Sequence, residues 1–301
     1  MRIAITASAF DLSNLPPELA DSELILNSSG HRLDRSGVLE LLGGHVDGAI
    51  AGLEPYDAEV LSSTVGLRAV SRIGTGVDNV DVDAAERLGI AVLRTPDAPT
   101  SAVAELTVAF ILAGLRHLVD HHQRFITGEW KARTGGLLEG RTVGLVGAGR
   151  IARAVAARLM PFGVEIQGSD PFVNPEDAGF PLVGIDELLT TSDIVTLHVP
   201  GQPGGHLLDG RRIGLMRPGA MLINTARGGL VDEGALADAL RSGALSFAGL
   251  DAFAVEPYKG ALSELSNVLL TPHIGSNTAE TRRAMEREAA ENLAVALGVR
   301  T

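Results

Sequence analysis

A strand-like run followed by a glycine-rich turn decides the fold of this chain. Residues 142–152 read TVGLVGAGRIA, an apolar run that enters a Gly-x-Gly-x-x-Ala turn and then an alanine-rich helix. In this pattern Gly147 permits the tight turn, Gly149 lets the backbone approach a pyrophosphate, and Ala152 lets the helix pack on the strand. The helix N-terminus would present N–H groups and a positive dipole end to phosphates. The stretch predicts a dinucleotide-binding Rossmann unit.

An acidic residue after the next predicted strand indicates which dinucleotide is bound. The strand at residues 164–169 leads directly to Asp170, about 20 residues beyond the first glycine of the turn. A carboxylate at that position accepts hydrogen bonds from ribose hydroxyls and repels a 2′-phosphate. Residues 171–173 include no Arg or Lys that could receive such a phosphate. The predicted cofactor is therefore NAD rather than NADP.

Short apolar runs alternate with amphipathic stretches on both sides of this motif. The predicted strands cover residues 3–6, 24–26, 49–51, 69–73, 90–93, 142–146, 164–167, 194–197, 220–223, 246–250 and 268–270. Such alternation predicts α/β units with parallel sheets, of which the second is doubly wound. A long helix is predicted from Ser101 to about His122, and a closing helix from an N-cap at Asn277 to Leu297. The glycine-rich run 201–205 is predicted to be a connection, because no regular helix start follows it.

Length and composition narrow the class of protein. A chain of 301 residues corresponds to about two domains, and 45% hydrophobic residues suffice to fill two cores. The net charge of −12 argues against nucleic acid or an anionic membrane as the main partner. The chain has no cysteine, which excludes disulfides and thiolate chemistry and favours a reducing, cytoplasmic compartment. The longest apolar run, residues 106–115, is too short to span a bilayer, and no signal peptide is recognised.

Three polar side chains follow predicted strands in the last third of the chain. Arg227, Glu256 and His273 each come just after an apolar run, and ligands bind at the carboxyl ends of parallel strands. Taken singly, these residues are typical of an ion pair, a loop acid and a structural histidine. Beside a nicotinamide they meet the needs of hydride exchange between a hydroxyl carbon and a ketone.

The chemistry of each side chain indicates its role in such an exchange. His273 could accept and return the hydroxyl proton, because imidazole titrates near neutral pH. Glu256 could orient the ring and stabilise imidazolium, and Arg227 could grip a carboxylate with two parallel hydrogen bonds. The predicted partner is a small anionic substrate, a 2-hydroxy or 2-oxo acid.

The chain resembles the D-isomer-specific 2-hydroxyacid dehydrogenases, and most of all their phosphoglycerate dehydrogenase branch. The segments that carry the resemblance are residues 72–81, 147–152, 224–233 (NTARGGLVDE), 249–257 and 271–276. It implies two doubly wound parallel-sheet domains. A flavodoxin-like substrate domain would comprise residues 1–97 and 277–301, and a Rossmann NAD-binding domain would comprise residues 98–276. The resemblance further implies a homodimer joined through the NAD domain and its long helix.

Individual site residues are also implied by the resemblance. The implied catalytic set is Arg227, Glu256 and His273. Backbone N–H groups of Thr75 and Gly76 are implied at the substrate carboxylate. Besides the glycines of the turn, the implied NAD contacts are Thr75, Arg150, Ile151, Asp170, Thr225, Ala226, Asp251, Gly275 and Ser276.

The chain departs from the phosphoglycerate branch at several positions. Residues 51–55 read AGLEP where phosphoglycerate enzymes have an Arg-Ser pair, and this argues against phosphoglycerate as the substrate. Arg72 could meet a distal anion of the substrate or form a surface ion pair. Pro99 stands where relatives often have a polar Asn, so one substrate or hinge contact must differ. Because the chain ends at Thr301, we expect none of the C-terminal regulatory domains of many phosphoglycerate dehydrogenases.

Several alternative interpretations remain open from the sequence. One is an NAD(H)-sensing binding protein, as in corepressors of the same superfamily, and another is the same fold acting on a phosphonate or phosphite-type oxyanion. Formate is disfavoured, because formate dehydrogenases have Gln at the position of Glu256. The histidines at 117, 121 and 122 favour a solvated or subunit-facing patch over a metal site, so no metal is predicted. His198 is predicted to be structural.

Overall fold

The computed structural model describes residues 1–201 and 204–300. The chain divides into two compact units: unit 1 comprises Met1–Pro99 and Ser276–Thr301, and unit 2 comprises Thr100–Gly275. Residues 202 and 203, which belong to the predicted glycine-rich connection, lie outside the described residues, as does Thr301. Each unit contains one sheet whose strands are all parallel.

The strands correspond closely to the predicted apolar runs. In chain order they are β1 (Arg2–Ile5), β2 (Glu23–Leu26), β3 (Gly48–Ala51), β4 (Ala69–Arg72), β5 (Ala91–Arg94), β6 (Thr142–Val146), β7 (Glu165–Ser169), β8 (Ile194–Leu197), β9 (Ala220–Asn224), β10 (Leu245–Leu250) and β11 (Val268–Leu270). The α-helices are α1 (Arg35–Leu41), α2 (Ala58–Ser63), α3 (Val82–Arg87), α4 (Thr100–Leu115), α5 (Leu118–Ile126), α6 (Arg150–Leu159), α7 (Pro175–Ala178), α8 (Ile185–Thr191), α9 (Gly210–Ile213), α10 (Glu233–Ser242) and α11 (Ala279–Ala296). The bounds of β6, β8 and β11 are as predicted, and those of the other strands differ from the predicted ones by one or two residues.

The sheet of unit 1 has the order β2-β1-β3-β4-β5. All of β3 is buried, as expected for a central strand covered on both faces. Helix α11 returns from the end of the chain to this sheet, and its Met285 and Leu293 are buried in one cluster with Ile3 and Ile50. The flavodoxin-like arrangement predicted for this part of the chain is confirmed.

The sheet of unit 2 has the order β11-β10-β9-β8-β6-β7. Helices cover both faces, since one buried cluster includes Phe110 of α4 and Val155 of α6, and another includes Leu188 of α8 and Leu236 of α10. The strand order reverses between β6 and β8, which is where doubly wound sheets bind nucleotides. The predicted Rossmann architecture is confirmed.

Two predicted helix bounds are wrong. The long helix ends at Leu115, and α5 begins only at Leu118, because His117 takes a left-handed conformation (φ 51°) that a continuous right-handed helix does not allow. The N-cap of α11 is Thr278 rather than Asn277, since the Thr278 side chain accepts a hydrogen bond from the N–H of Thr281.

Among the described helices, no single one is long and apolar enough to cross a bilayer. Helices α4 and α5 together have the length and composition of a span but are bent by 64° at their junction.

Candidate active site

The glycine-rich turn between β6 and α6 has the shape of a phosphate-binding loop. Gly147 has a φ of 100°, and a Cβ there would lie 2.7 Å from the carbonyl oxygen of His198. Only glycine fits this position. Gly149 caps the N-terminus of α6 and faces open space, with no atom within 4 Å of where a Cβ would be. The open backbone and the helix N-terminus fit a pyrophosphate.

Asp170 lies beside this turn. One of its oxygens accepts a hydrogen bond from the N–H of Ala148 at 2.9 Å, and the other accepts one from the N–H of Phe172 at 2.9 Å. A carboxylate can accept about four hydrogen bonds, so ribose hydroxyls can still bind to it. The glycine turn and the carboxylate therefore fit the adenosine half of NAD, and their assignment to it stays a prediction.

His273 and Glu256 form a hydrogen-bonded pair. The Nδ1 atom of His273 lies 3.0 Å and 3.1 Å from the two carboxylate oxygens of Glu256, and both side chains are about one third exposed or less (35% and 28%). The backbone N–H of Phe253 also donates to Glu256, at 3.2 Å. The carboxylate is thus fixed by a backbone N–H group and orients the imidazole ring.

Asp251 shapes the turn that carries the histidine. It is only 1% exposed, and its oxygens accept hydrogen bonds from the Thr271 hydroxyl and from the N–H groups of Ile274 and Gly275, the latter two at 2.7 Å. Burial raises the pKa of Asp251, and these three hydrogen bonds oppose that rise. His273 itself has a φ of 55°, so the turn holds it in an uncommon left-handed conformation.

Arg227 follows β9, and the side chain of Asn224 fixes its backbone. The side chain of Asn224 donates to the carbonyl of Arg227 at 2.8 Å and accepts from the N–H of Ala226 at 3.0 Å. A Cβ at Gly228 would overlap the backbone of Phe253, so the turn after β9 packs directly on the turn after β10. Because β9, β10 and β11 are neighbours, the predicted catalytic residues follow three adjacent strands at one edge of the sheet.

Two residues that were not predicted as site residues support this edge of the sheet. Asn224 ends β9, and Thr107 of α4 bonds through its hydroxyl to that of Thr225 at 2.9 Å. Thr107 also donates to the carbonyl of Val103 at 2.8 Å, as helical threonines commonly do. Asn224 begins the NTARGG motif, and its side-chain amide, which can bond to the backbone of a turn, could have indicated its role. No local sequence pattern marks Thr107.

His198 follows β8 at the point where the strand order reverses. Its Nε2 lies 3.1 Å from the Thr196 hydroxyl, and its buried Nδ1 has no hydrogen-bond partner among the described residues. Burial lowers the pKa of His198 to about 3. The ring is therefore neutral at physiological pH.

Four of the predicted site residues lie in unit 1, whereas Arg150 and Ile151 begin α6 in unit 2. Arg72, Thr75 and Gly76 are at the end of β4 and in the turn after it, and Ser276 begins the segment that leads to α11. The turn is fixed by Thr95, whose hydroxyl accepts from the N–H of Gly74 at 2.7 Å. Both Thr75 and Gly76 are half-buried.

A doubly wound unit with a glycine-rich turn and a histidine–glutamate pair at its strand ends has the architecture of the nucleotide-dependent dehydrogenases. A family model described as "D-isomer specific 2-hydroxyacid dehydrogenase, NAD binding domain" matches residues 108–275. The chain belongs to the D-isomer specific 2-hydroxyacid dehydrogenase family. This membership confirms both the resemblance drawn from the sequence and NAD as the cofactor.

Relatives with assigned activities cover most of the chain. The D-3-phosphoglycerate dehydrogenase of Mycobacterium leprae is 42% identical over 248 residues, which are 80% of this chain and 47% of that protein. The glyoxylate reductase of Thermococcus onnurineus is 38% identical over 278 residues, which are 87% of this chain and 83% of that protein. The chain thus spans about half the length of the phosphoglycerate dehydrogenases that it matches.

A solved structure matches both units. The D-lactate dehydrogenase of Aquifex aeolicus, in complex with NAD and lactic acid, has 27% sequence identity and a TM-score of 0.85, and the match covers 98% of this chain and 95% of that one. The names of these relatives cover three different 2-hydroxy or 2-oxo acids, so membership in the family does not by itself select a substrate.

Proposed function

We propose that this protein catalyses reversible hydride transfer between NAD and the C2 atom of a small D-2-hydroxy acid or 2-oxo acid. The observation that carries the proposal is the His273–Glu256 pair, at 3.0 Å and 3.1 Å, in a chain of this family. When bound, the nicotinamide supplies the hydride acceptor in oxidation and the hydride donor in reduction. The protein has to supply a proton carrier, an anchor for the substrate and a binding site for the cofactor.

The proton is carried by His273. Nδ1 bonds to Glu256, so the Nε2 atom of the neutral ring takes the hydroxyl proton when the substrate is oxidised and returns it when the ketone is reduced. When the substrate is oxidised, its C2–H and O–H bonds break and a C=O bond forms; the proton goes to His273, and the hydride would go to the bound nicotinamide. Glu256 stabilises the imidazolium that results.

Arg227 is the proposed anchor of the substrate carboxylate, and the family resemblance adds the backbone N–H groups of Thr75 and Gly76 as candidate donors. A guanidinium can form two parallel hydrogen bonds with a carboxylate and polarise the neighbouring carbonyl oxygen. Arg72 is a further candidate, for a distal anion of the substrate. In this proposal unit 1 is the substrate domain and unit 2 is the NAD domain.

Most of the proposed cofactor contacts lie in the turns of unit 2, and the family resemblance adds Thr75 and Ser276 as candidates. Gly147 and Gly149 approach the pyrophosphate, and Asp170 accepts from the ribose hydroxyls. The remaining proposed contacts are Thr75, Arg150, Ile151, Thr225, Ala226, Asp251, Gly275 and Ser276. Cytoplasmic location, a homodimer and the absence of nucleic-acid and membrane partners remain predictions from the sequence. Neither the oxyanion alternative nor the NAD(H)-sensing alternative is favoured by a specific observation, and neither is proposed.

The test is the loss of NADH absorbance when purified protein meets glyoxylate, pyruvate, hydroxypyruvate or 3-phosphohydroxypyruvate. Turnover with at least one of these 2-oxo acids is the expected result. If none of these acids causes NADH oxidation although fluorescence shows that NADH binds, the result would contradict the proposed function.

A further inference from the structure

The turn after β10 holds Glu256 through one backbone amide. The N–H of Phe253 donates to Oε1 of Glu256 at 3.2 Å, and the same oxygen lies 3.0 Å from Nδ1 of His273. The Glu256 side chain is 28% exposed, so water can replace either of these hydrogen bonds if the turn moves. The place of Phe253 therefore decides how well Glu256 is aligned with the imidazole ring.

Phe253 is fixed through both its backbone and its ring. Its backbone lies against Gly228, where a Cβ would overlap it, and its ring belongs to a buried core cluster of unit 2. The ring of Tyr258 stacks on the ring of Phe253, with 4.4 Å between the centroids and an angle of 23° between the planes. Stacked aromatic rings stabilise each other beyond the area that they bury. Tyr258 thus holds Phe253 from within the same turn.

Tyr258 is itself anchored to the core. Its hydroxyl oxygen accepts a hydrogen bond from the N–H of Leu262 at 3.2 Å, and the Leu262 side chain is fully buried in the same cluster as Phe253. A Cβ at Gly260 would lie 2.3 Å from the Tyr258 hydroxyl oxygen and 2.5 Å from the ring carbon Cζ. The ring of Tyr258 is therefore held by Phe253, Gly260 and Leu262 together.

We propose that Tyr258 is a positioning residue of the proton carrier: through Phe253 it fixes the carboxylate of Glu256, which orients the ring of His273. This role deepens the proposed function, on which it rests. Tyr258 lies one position beyond the segment 249–257 that carries the family resemblance. Without its ring Phe253 is free to move, the bond from its N–H to Oε1 breaks for part of the time, and the Nδ1 proton of His273 loses its fixed partner.

The first measurement compares Tyr258→Leu, which removes the aromatic ring, with Tyr258→Phe, which keeps it. With the best 2-oxo acid of the wild-type protein, kcat per NADH-binding site should fall by about 10-fold in Tyr258→Leu, as expected for the loss of one aromatic pair. NADH affinity and KM for the 2-oxo acid should stay within about 2-fold of wild type, because the glycine-rich turn and Arg227 are unchanged. Tyr258→Phe should keep kcat within about 3-fold of wild type, since the stack remains.

The second measurement does not depend on turnover. The Nδ1 proton of His273, bonded to a carboxylate, should give a resonance far downfield in the proton NMR spectrum, assigned by its absence in His273→Ala. In Tyr258→Leu this resonance should broaden or disappear, because the proton exchanges with water once Glu256 is released. Tyr258→Phe should retain it.

A matched control and a second variant accompany these measurements. Phe162, which follows α6, is a 42% exposed aromatic side chain of the same unit, and Phe162→Leu should leave kcat and the resonance unchanged. The backbone of Gly260 is extended (φ −145°) and accepts alanine, but the three atoms nearest to the added Cβ all belong to Tyr258. Gly260→Ala should therefore displace the ring and lower kcat as Tyr258→Leu does.

The outcomes separate this role from the proposed function. A wild-type kcat, or an unchanged resonance, in Tyr258→Leu would overturn the role of Tyr258 and leave the function standing. If the wild-type protein turns over none of the 2-oxo acids, the function fails, and the resonance alone decides whether Tyr258 positions His273. Should Tyr258→Leu not fold, Gly260→Ala decides, and a kcat within about 2-fold of wild type in that variant would overturn the role.

Discussion

The Nδ1 atom of His273 lies within 3.1 Å of both carboxylate oxygens of Glu256. Because a carboxylate only accepts hydrogen bonds, this contact assigns the ring proton to Nδ1 and leaves the lone pair of the neutral ring on Nε2. The pair is thereby set to exchange a proton at Nε2, while Glu256 supplies the charge that stabilises imidazolium. The same relationship orients the base in other histidine–carboxylate sites.

Removing the charge of Glu256 should slow the reaction without abolishing cofactor binding. For Glu256→Gln we expect kcat to fall by about 100-fold, because the imidazolium loses its counter-charge and the ring its fixed tautomer. Steady-state kinetics and NADH fluorescence titration measure the two effects. The control is Glu264→Gln, an exposed acid of the same unit. A normal kcat in Glu256→Gln would exclude the assigned role.

The two glycines after Arg227 provide a matched test of how the site is built. A Cβ at Gly228 overlaps the backbone of Phe253, whereas none of the surrounding atoms lies within 4 Å of a Cβ at Gly229. Gly228→Ala should destabilise the protein by about 1–3 kcal/mol and lower activity, and Gly229→Ala should leave stability nearly unchanged. Thermal denaturation compares them. Equal melting temperatures would show that the two turns do not pack as described.

The buried ring of His198 should make stability depend on pH. The folded protein keeps it neutral down to about pH 3, whereas the unfolded chain takes up a proton near pH 6.5. The unfolded state therefore binds more protons between these values, and stability falls as the pH drops below 6.5. The urea concentration at the midpoint of unfolding should be lower at about pH 5 than at about pH 7, and this difference should be smaller for His198→Asn than for the wild type. An unchanged difference would refute the contribution of His198.

The carboxylate of Asp170 should govern the choice between the two dinucleotides. In Asp170→Ala we expect KM for NAD to rise by about 10-fold and the preference over NADP to shrink, since both the ribose acceptor and the repulsion of a 2′-phosphate are lost. Asp177→Ala, which removes an exposed acid on α7, is the control. Unaltered cofactor preference in Asp170→Ala would remove the ribose assignment.

Local sequence patterns predicted the strands well because most of them are short, buried apolar runs bounded by polar turns. The turn at Gly147 could also be predicted from the sequence, because its shape depends on glycine itself. The break at His117 could not be predicted, because the helical sequence pattern continues past residue 116. Gly114, near the end of α4, packs against Met221 and Phe247, which lie on strands far away in the sequence. Local propensity does not encode such contacts.

Part of the candidate site could likewise be predicted from the sequence, and part could not. Placement of Arg227, Glu256 and His273 after strands could be predicted, because each follows an apolar run, and the structure adds that those strands are neighbours. The bonds that Asp251 makes with residues 271–275, and the one between Thr107 and Thr225, join segments that are far apart in sequence. No local pattern in one sequence marks such pairs, so only the folded structure reveals them.

The most direct measurement is the rate of NADH oxidation by His273→Ala with the best 2-oxo acid of the wild-type protein, alongside its NADH affinity. We expect turnover to fall by about 10²–10⁴-fold while NADH still binds. Turnover close to that of the wild type would show that His273 does not carry the proton in this reaction.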